Sequence, residues 1–586
     1  MGLIKREHFP VPRGHREAYV APPAGEHAAL VGRNRRLVAA YGFRLAGLPF
    51  AEVRAVARAE LVEIARRWTG RWGIALAAWA EPAPLVLTGH QPQPFHPGVW
   101  FKNFLAGDLA RAVGGAALNL IVDNDECRGM AVRLPTRGAP GDGEVRAAEV
   151  PLADAAGGIP FEEQPASALR REALREVVGA APSADVAEAF RQAWAILQEA
   201  ARDAASLGEA VAAARRRMEA RQGLANLELP VSAMADSNAF RRFVAATLER
   251  PEAFFAAYND SLHEYRRAYD EENAAQPMPD LASEGRRLEM PYWVWRGGQR
   301  RRRLWVEPAA GGGLVLAADR EAIGRLGPAE ADRPEAAAAH LAALRRSGWK
   351  VRPRALAMTL FARLLVADAF VHGLGGALYD RITDAIVERL FGVRSPEMVV
   401  ASCTVHLPLE VYPATRADLE RARRLVRDWR YNPDRLIPEP VRRRPDAQTL
   451  VEEKRRLIRT RGATRGARHA AWRRIRDINA ALAALCPESA PEAASRLARL
   501  QQELKWNAIL RGREYPYVLY SPADLAAFYR ETTQAYERSA DEQRLFERRA
   551  EEGRPCERRA GGCPPGRARR DHPQAPNPPL PKGPDR

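Results

Sequence analysis

The chain has 586 residues, 46% of them hydrophobic, with a formal net charge of +17 and an isoelectric point near 10.0. That length holds roughly two to four domains with sizeable cores, and no run of about 18 apolar residues occurs that would form a membrane-spanning helix. The charge alone points to nucleic acid, but only six of the 90 basic residues are Lys and 84 are Arg; with so many Ala and Gly this is the mark of a GC-rich coding sequence, and nucleic acid is not the expected partner.

The opening M-G-L-I-K-R-E-H-F-P has no apolar core of a signal peptide, and Arg6 breaks the myristoylation pattern. A cytoplasmic chain without membrane attachment is the expectation. The cysteines Cys127, Cys403, Cys486, Cys556 and Cys563 form no C-x-x-C pair, which speaks against structural zinc and a disulfide scaffold.

In chain order, residues 1–80 read as a helical N-terminal cap, with apolar residues at helical spacing in Gly25 to Ala40 and Ala51 to Trp68. Residues 81–130 read as the first part of an α/β core. Leu85, Val86 and Leu87 form a short apolar run typical of a parallel strand buried on both faces. It stops at Thr88-Gly89, and a Pro- and Gly-rich loop follows with His90, Gln91 and His96. A helix is predicted from Val99 to Val113, carrying Lys102. A second strand, Ala117 to Val122, ends in Asp123-Asn124-Asp125-Glu126. Strand, helix and strand within about 40 residues make a βαβ unit, with the His loop and the acidic cluster on one edge. The helix start is expected to offer free N–H groups to a phosphate or carboxylate.

Residues 131–345 read as a loop and helical insertion with short strands. Gly297-Gly298 marks a hairpin turn between Met290–Arg296 and Arg303–Val306. Residues 346–412 repeat the first layout: an apolar element ending at His372, the turn Gly373-Leu374-Gly375-Gly376, and a helix carrying Tyr379, Asp380 and Asp384; Val399 to Leu407 reads as a further strand. Residues 413–512 read as a helical hairpin or short coiled coil, with Thr449 to Leu485 as one long helix and apolar stripes that suggest a homodimer. Residues 513–540 return as an extended segment and a helix. Residues 541–586 lack apolar periodicity and read as a disordered tail.

Thr88, Gly89, Gln91 and Phe95 match the T-G-Q-Q-x-G-L-F-G-G-P segment that opens the core of the bacillithiol-biosynthesis cysteine-adding enzymes. His90 stands for its first Gln and His96 for a Gly, and Lys102 lies two positions early. Asp123-Asn124-Asp125-Glu126 takes the place of that family's E-D-H-D without its His. Phe370-Val371-His372-Gly373-Leu374-Gly375-Gly376, after Arg352-Pro353, echoes its Y-V-G-G-P-G-E. The chain thus distantly resembles this family from about residue 80 to about residue 520. The resemblance implies a Rossmann-like doubly wound parallel sheet with helical insertions and a C-terminal helical region. It also implies a ligase-like enzyme that joins cysteine to an amino-sugar conjugate.

Forming an amide from a carboxylate requires activation, so an adenine nucleotide and Mg²⁺ are the expected cofactors. The expected catalytic residues are His90, His372 and Asp125. Thr88, Gly89, Gln91, His96, Lys102, Gly373, Gly375 and Gly376 are expected to hold the nucleotide, and Asp123 and Asp125 the metal. A nucleotidyl transferase with another substrate, and an Arg-rich scaffold that binds RNA without catalysis, are the alternatives.

Overall fold

Leu85, Val86 and Leu87 are each 0% exposed, because their strand lies near the centre of a six-stranded sheet. In chain order the strands are β1 (Glu17–Ala21), β2 (Leu85–His90), β3 (Ala116–Ile121), β4 (Leu227–Pro230), β5 (Ala369–His372) and β6 (Val399–Thr404). Across the sheet they run β1-β6-β5-β2-β3-β4. The five from β6 to β4 are parallel, and β1 closes the edge antiparallel to β6. The chain is a mixed α/β protein built on a mostly parallel sheet. The computed structural model describes residues 2–74, 76, 78–137, 144–331, 333–460 and 464–534. The expected tail, 541–586, lies outside the described residues.

Alternate residues of the strands enter two different cores, as the period of a strand requires. Leu85, Leu87, Leu118, Leu120 and Phe370 pack with the helix Phe50–Gly70 and with α2 (Ala355–Leu365). Val86, Ala117, Ile121, Ala369 and Val371 pack on the other face with α1 (Pro97–Ala112). The helix after β5, α3 (Leu374–Phe391), buries Ile382, Ala385 and Ile386 in the first core. The helices that leave the adjacent strands β2 and β5 therefore go to opposite faces. Between them the sheet edge opens as a crevice, where open α/β sheets bind ligands.

A second, antiparallel sheet runs Glu321–Leu326, Leu314–Ala318, Arg302–Pro308, Arg287–Arg296, Trp349–Pro353. Its hairpin pairs Met290 with Leu304 across the turn that Gly297-Gly298 signals. Trp349–Pro353 leads directly into α2, so this sheet stands over the crevice.

Several expectations are corrected. Residues 1–80 are not only helical, since β1 extends the main sheet. The strand β4 was not legible: Leu-Glu-Leu-Pro is four residues long and lies between helices. The single helix over Thr449 to Leu485 is two helices, Pro445–Arg459 and Arg465–Ala484. The apolar stripes of this region do not await a second copy. Trp429, Ile437, Val451, Ile478, Leu482 and Ala493 bury one another in a small bundle core, which removes the reason given for a homodimer there. After the bundle, Tyr517 N–H donates to Phe95 O (2.8 Å) and Tyr529 Oη–H to Pro97 O (2.8 Å), fastening the chain end to the start of α1.

Candidate functional site

β2 and β5 end side by side, and a cavity of about 270 Å³ opens beyond their carboxyl ends. Gly89, His90 and Gln91 form one wall, and His372, Gly376, Tyr379 and Asp380 another. Asn124 and Asp125, from the end of β3, and Trp293, Arg301 and Arg354, from the second sheet, close it. Gly89 is required where it stands, since a Cβ would come within 2.9 Å of Leu120 Cβ and Leu120 O.

His372 is the best-supported basic group. Its Nε2–H donates to Asp380 Oδ2 at 2.9 Å, and Asp380 is held in turn by Arg363 Nη1 at 2.7 Å. Histidine and aspartate are eight residues apart because the strand delivers one and the second turn of α3 the other. Burial works against the Asp380 charge, but Arg363 and His372 hold its pKa well below the usual range. Burial pulls the His372 pKa down and Asp380 opposes that pull, so the imidazole rests neutral with Nδ1 as an acceptor. A Cβ on Gly376 would lie 3.2 Å from Nδ1, so glycine keeps this nitrogen accessible.

The start of α3 is open. Gly373 caps it without a side-chain bond, and Ala377 N–H is the first amide to find a carbonyl, Gly373 O at 2.9 Å. No acceptor among the described residues takes the amides of Leu374, Gly375 or Gly376, and nothing lies within 4 Å of a Cβ on Gly375.

The start of α1 is closed, against expectation. His96 Nδ1 accepts the Gly98 N–H at 3.1 Å, and His96 O takes the amides of Val99 and Trp100. A Cβ on Gly98 would meet Cys403 O at 2.4 Å. No free N–H groups point outward there, and His96, its pKa pushed down to about 4 by burial, faces Glu514 instead of the cavity. Lys102 is buried beneath the sheet edge with Nζ on Gly89 O at 2.9 Å, and burial brings it down to about 8. Thr88 ties two strands together through Val371 O at 2.9 Å.

His90 lines the cavity with its Nδ1–H on Gln91 O at 3.3 Å. Burial, with Lys102 adding, pushes its pKa down to about 3. It stays neutral at physiological pH and serves as a hydrogen-bonding group.

The two aspartates do not converge. Asp123 accepts from Ser232 N–H at 2.8 Å and from the Ser232 hydroxyl, and lies outside the cavity. Asp125 accepts from Gln91 Nε2 at 3.0 Å and Arg301 Nη1 at 2.9 Å. Among the described residues no group of three His, Cys, Asp or Glu side chains could hold a metal. A divalent cation between Asp123 and Asp125 does not fit this arrangement.

Sequence reasoning gave no role to Trp293, Arg301 and Asn124 in the wall, and read Arg354 as surface charge or a structural ion pair, such as the one its Nη2 makes with Glu289. Arg354 and Arg301 lie with Cζ 4.0 Å and 4.9 Å from the Trp293 ring centroid, and Arg354 Nε has no partner among the described residues. Asn124 donates to Pro353 O at 2.8 Å, and its Oδ1 has no partner among the described residues. Only the second sheet brings these groups over the crevice, and no local motif marks them.

A larger cavity, about 470 Å³, lies beyond β6 and is lined by His15, Arg16 and His406. The backbone N–H of His406 donates to His15 Nδ1 at 3.1 Å and Arg16 pairs with Glu531 at 2.7 Å, and none of this lining comes from the carboxyl ends of β2, β3 or β5. The cavity at β2 and β5 is therefore the candidate site. No family model matches this chain, and no curated protein matches it either.

Proposed function

We propose that the chain is an enzyme that forms an amide between two small polar substrates in the cavity beyond β2 and β5, with His372 as general base. The observation that carries this reading is the Arg363–Asp380–His372 line, which ends on an accessible Nδ1 inside the cavity. The amine nucleophile gives its proton to Nδ1 as it attacks the carbon of the nucleotide-activated carboxyl, and the C–O bond to the phosphate breaks as the C–N bond forms, the phosphate leaving with the electron pair. Asp380 fixes the tautomer and stabilises the imidazolium that forms.

The main sheet supports a Rossmann-like reading. With its parallel strands numbered by sequence, their order is 3-2-1-4-5, and the cavity sits where that order reverses. The identity of the substrates, cysteine and an amino-sugar conjugate, rests on the family resemblance alone. An adenine nucleotide would activate the carboxylate. The residues that would hold it are the unpaired amides at the start of α3, where Gly376 lines the cavity, with Arg354, whose Nη2 is on Glu289, elsewhere in the cavity wall.

The test supplies cysteine, glucosaminyl malate and ATP with Mg²⁺ to the full chain and follows the amide by mass spectrometry. The expected result is turnover that falls about 10²- to 10⁴-fold in His372→Gln, the usual worth of a general base, with unchanged circular dichroism. No product from the wild type would remove the cysteine assignment. Turnover unchanged in His372→Gln would remove the base.

A further inference from the structure

From Lys454 to Arg476 the sequence carries ten Lys and Arg and no Asp or Glu. Of the described residues in this stretch, most form the end of the helix Pro445–Arg459 and the start of the helix Arg465–Ala484, which pack as a pair. Arg455, Arg456, Arg459, Arg465, Arg468, Arg473, Arg474 and Arg476 are all exposed. Arg474 pairs with Glu453 at 2.7 Å. Arg455, Arg456, Arg459, Arg465, Arg473 and Arg476 have no carboxylate within ion-pair distance among the described residues.

The neighbouring helix Arg416–Tyr431 is also rich in Arg, but Asp418, Glu420 and Asp428 are interleaved there, and Arg421 pairs with Asp418 and Arg423 with Glu420, one turn away. The tip, by contrast, has no acidic residue interleaved between its arginines. On the second helix, Arg465, Arg468, His469, Trp472 and Arg476 stand at i, i+3, i+4, i+7 and i+11 and share one face. That face is about 16 Å long. Trp472 is 54% exposed, with His469 stacked at 6.0 Å and Arg476 Cζ 5.4 Å from its ring.

We infer that this helical tip is a nucleic-acid-binding surface. Guanidinium groups with no carboxylate partner fit phosphate oxygens. The exposed indole among them adds a surface for a base or sugar. An anionic membrane fits less well, since insertion needs a broad apolar face, and the tip exposes only Ile458 and Trp472 as large apolar side chains among the described residues.

The inference does not rest on the proposed enzyme activity, and its test leaves the cavity untouched. Fluorescence anisotropy of the full chain is measured with a labelled single-stranded RNA, a labelled DNA duplex and, by co-sedimentation, phosphatidylserine vesicles, over a range of salt. Binding to nucleic acid is expected, with log K falling against log salt at a slope near −3.5 if about five phosphates of a single strand are met. The stronger of the two nucleic acid arms identifies the form recognised. Reversal of Arg455, Arg459, Arg465 and Arg476 to Glu should weaken binding by at least about tenfold. The same change at Arg421, Arg423, Arg442 and Arg443, each of which pairs with a carboxylate, should leave it within about twofold. Should the charge reversal disturb the helices by circular dichroism, the Arg→Gln set at the same four positions gives the reading. Equal loss in both sets, no nucleic acid binding at low salt, or binding to vesicles alone would overturn the inference.

Discussion

At the scale of residues, the molecule hides histidines in their neutral form. Burial pushes His27 and His96 down to about 4 and His90 to about 3, against about 6.5 in the unfolded chain. Below pH 6.5 the unfolded chain takes up protons that the folded one refuses, so stability falls as pH drops toward these values and is regained as it rises. Each such histidine contributes a slope of up to about 1.4 kcal/mol per pH unit. Urea unfolding between pH 7.5 and pH 5 should show this loss, and His90→Gln should flatten it by about one proton. Identical slopes in wild type and variant would mean that His90 is not shielded from water. His372 belongs to the same group by burial, but Asp380 resists the shift, which keeps its nitrogen basic enough to take a proton.

At the scale of elements, the two helix starts look alike in sequence, each a His followed within two residues by Gly, yet only α3 is open. Gly98→Ala should cost about 2 kcal/mol or more, because the new Cβ meets the Cys403 carbonyl in a packed junction. Gly375→Ala should be neutral or stabilise by up to about 1 kcal/mol, since its Cβ finds open space and alanine favours the helix. Gly376→Ala should keep the fold but lower turnover, by crowding His372 Nδ1. Thermal unfolding of the three proteins, with the amide assay on the last two, separates these outcomes; a Gly98→Ala protein as stable as wild type would show that the start of α1 is not closed. The central strands and their helices were legible in sequence because Leu85–Leu87 and Ala117–Val122 are continuous apolar runs closed by turns. Six of the anticipated residues, Gly89, His90, Gln91, Asp125, His372 and Gly376, meet at the cavity. Strand β4 was not legible, being too short to show a period. The roles of His96, Asp123 and Asn124 were not legible either. They depend on partners far away in sequence, such as Pro353 for Asn124 and Ser232 for Asp123.

At the scale of the whole molecule, the cavity exists only because two sheets are held together, and Arg352 is central to that junction. It is 1% exposed and lies on the strand Trp349–Pro353. It reaches Glu162 at 2.9 Å and Asp236 at 2.9 Å, with the Trp295 ring 5.9 Å away. Lys350, two residues earlier, adds Glu163 and a second bond to Glu162. Next to this group sits Asp123, raised to about 7 by burial, with Glu162 adding to the rise and Arg352 opposing it. Replacing Arg352 with Met keeps the volume and removes the cation, which leaves Glu162, Asp236 and Asp123 facing one another with too little positive charge. Breaking a buried pair in this way costs about 3–5 kcal/mol, and loosening the junction should also weaken any ligand held between Trp293 and His372. The deficit has a definite pH dependence. Asp123 in the variant rises above 7, above its unfolded value, so its protonation relieves repulsion as pH falls. Urea unfolding at pH 8 should therefore show the full gap between wild type and Arg352→Met, and at pH 5.5 a smaller one. A gap of the same size at both pH values would mean that Arg352 stabilises the junction by packing on Trp295, not by neutralising the carboxylates.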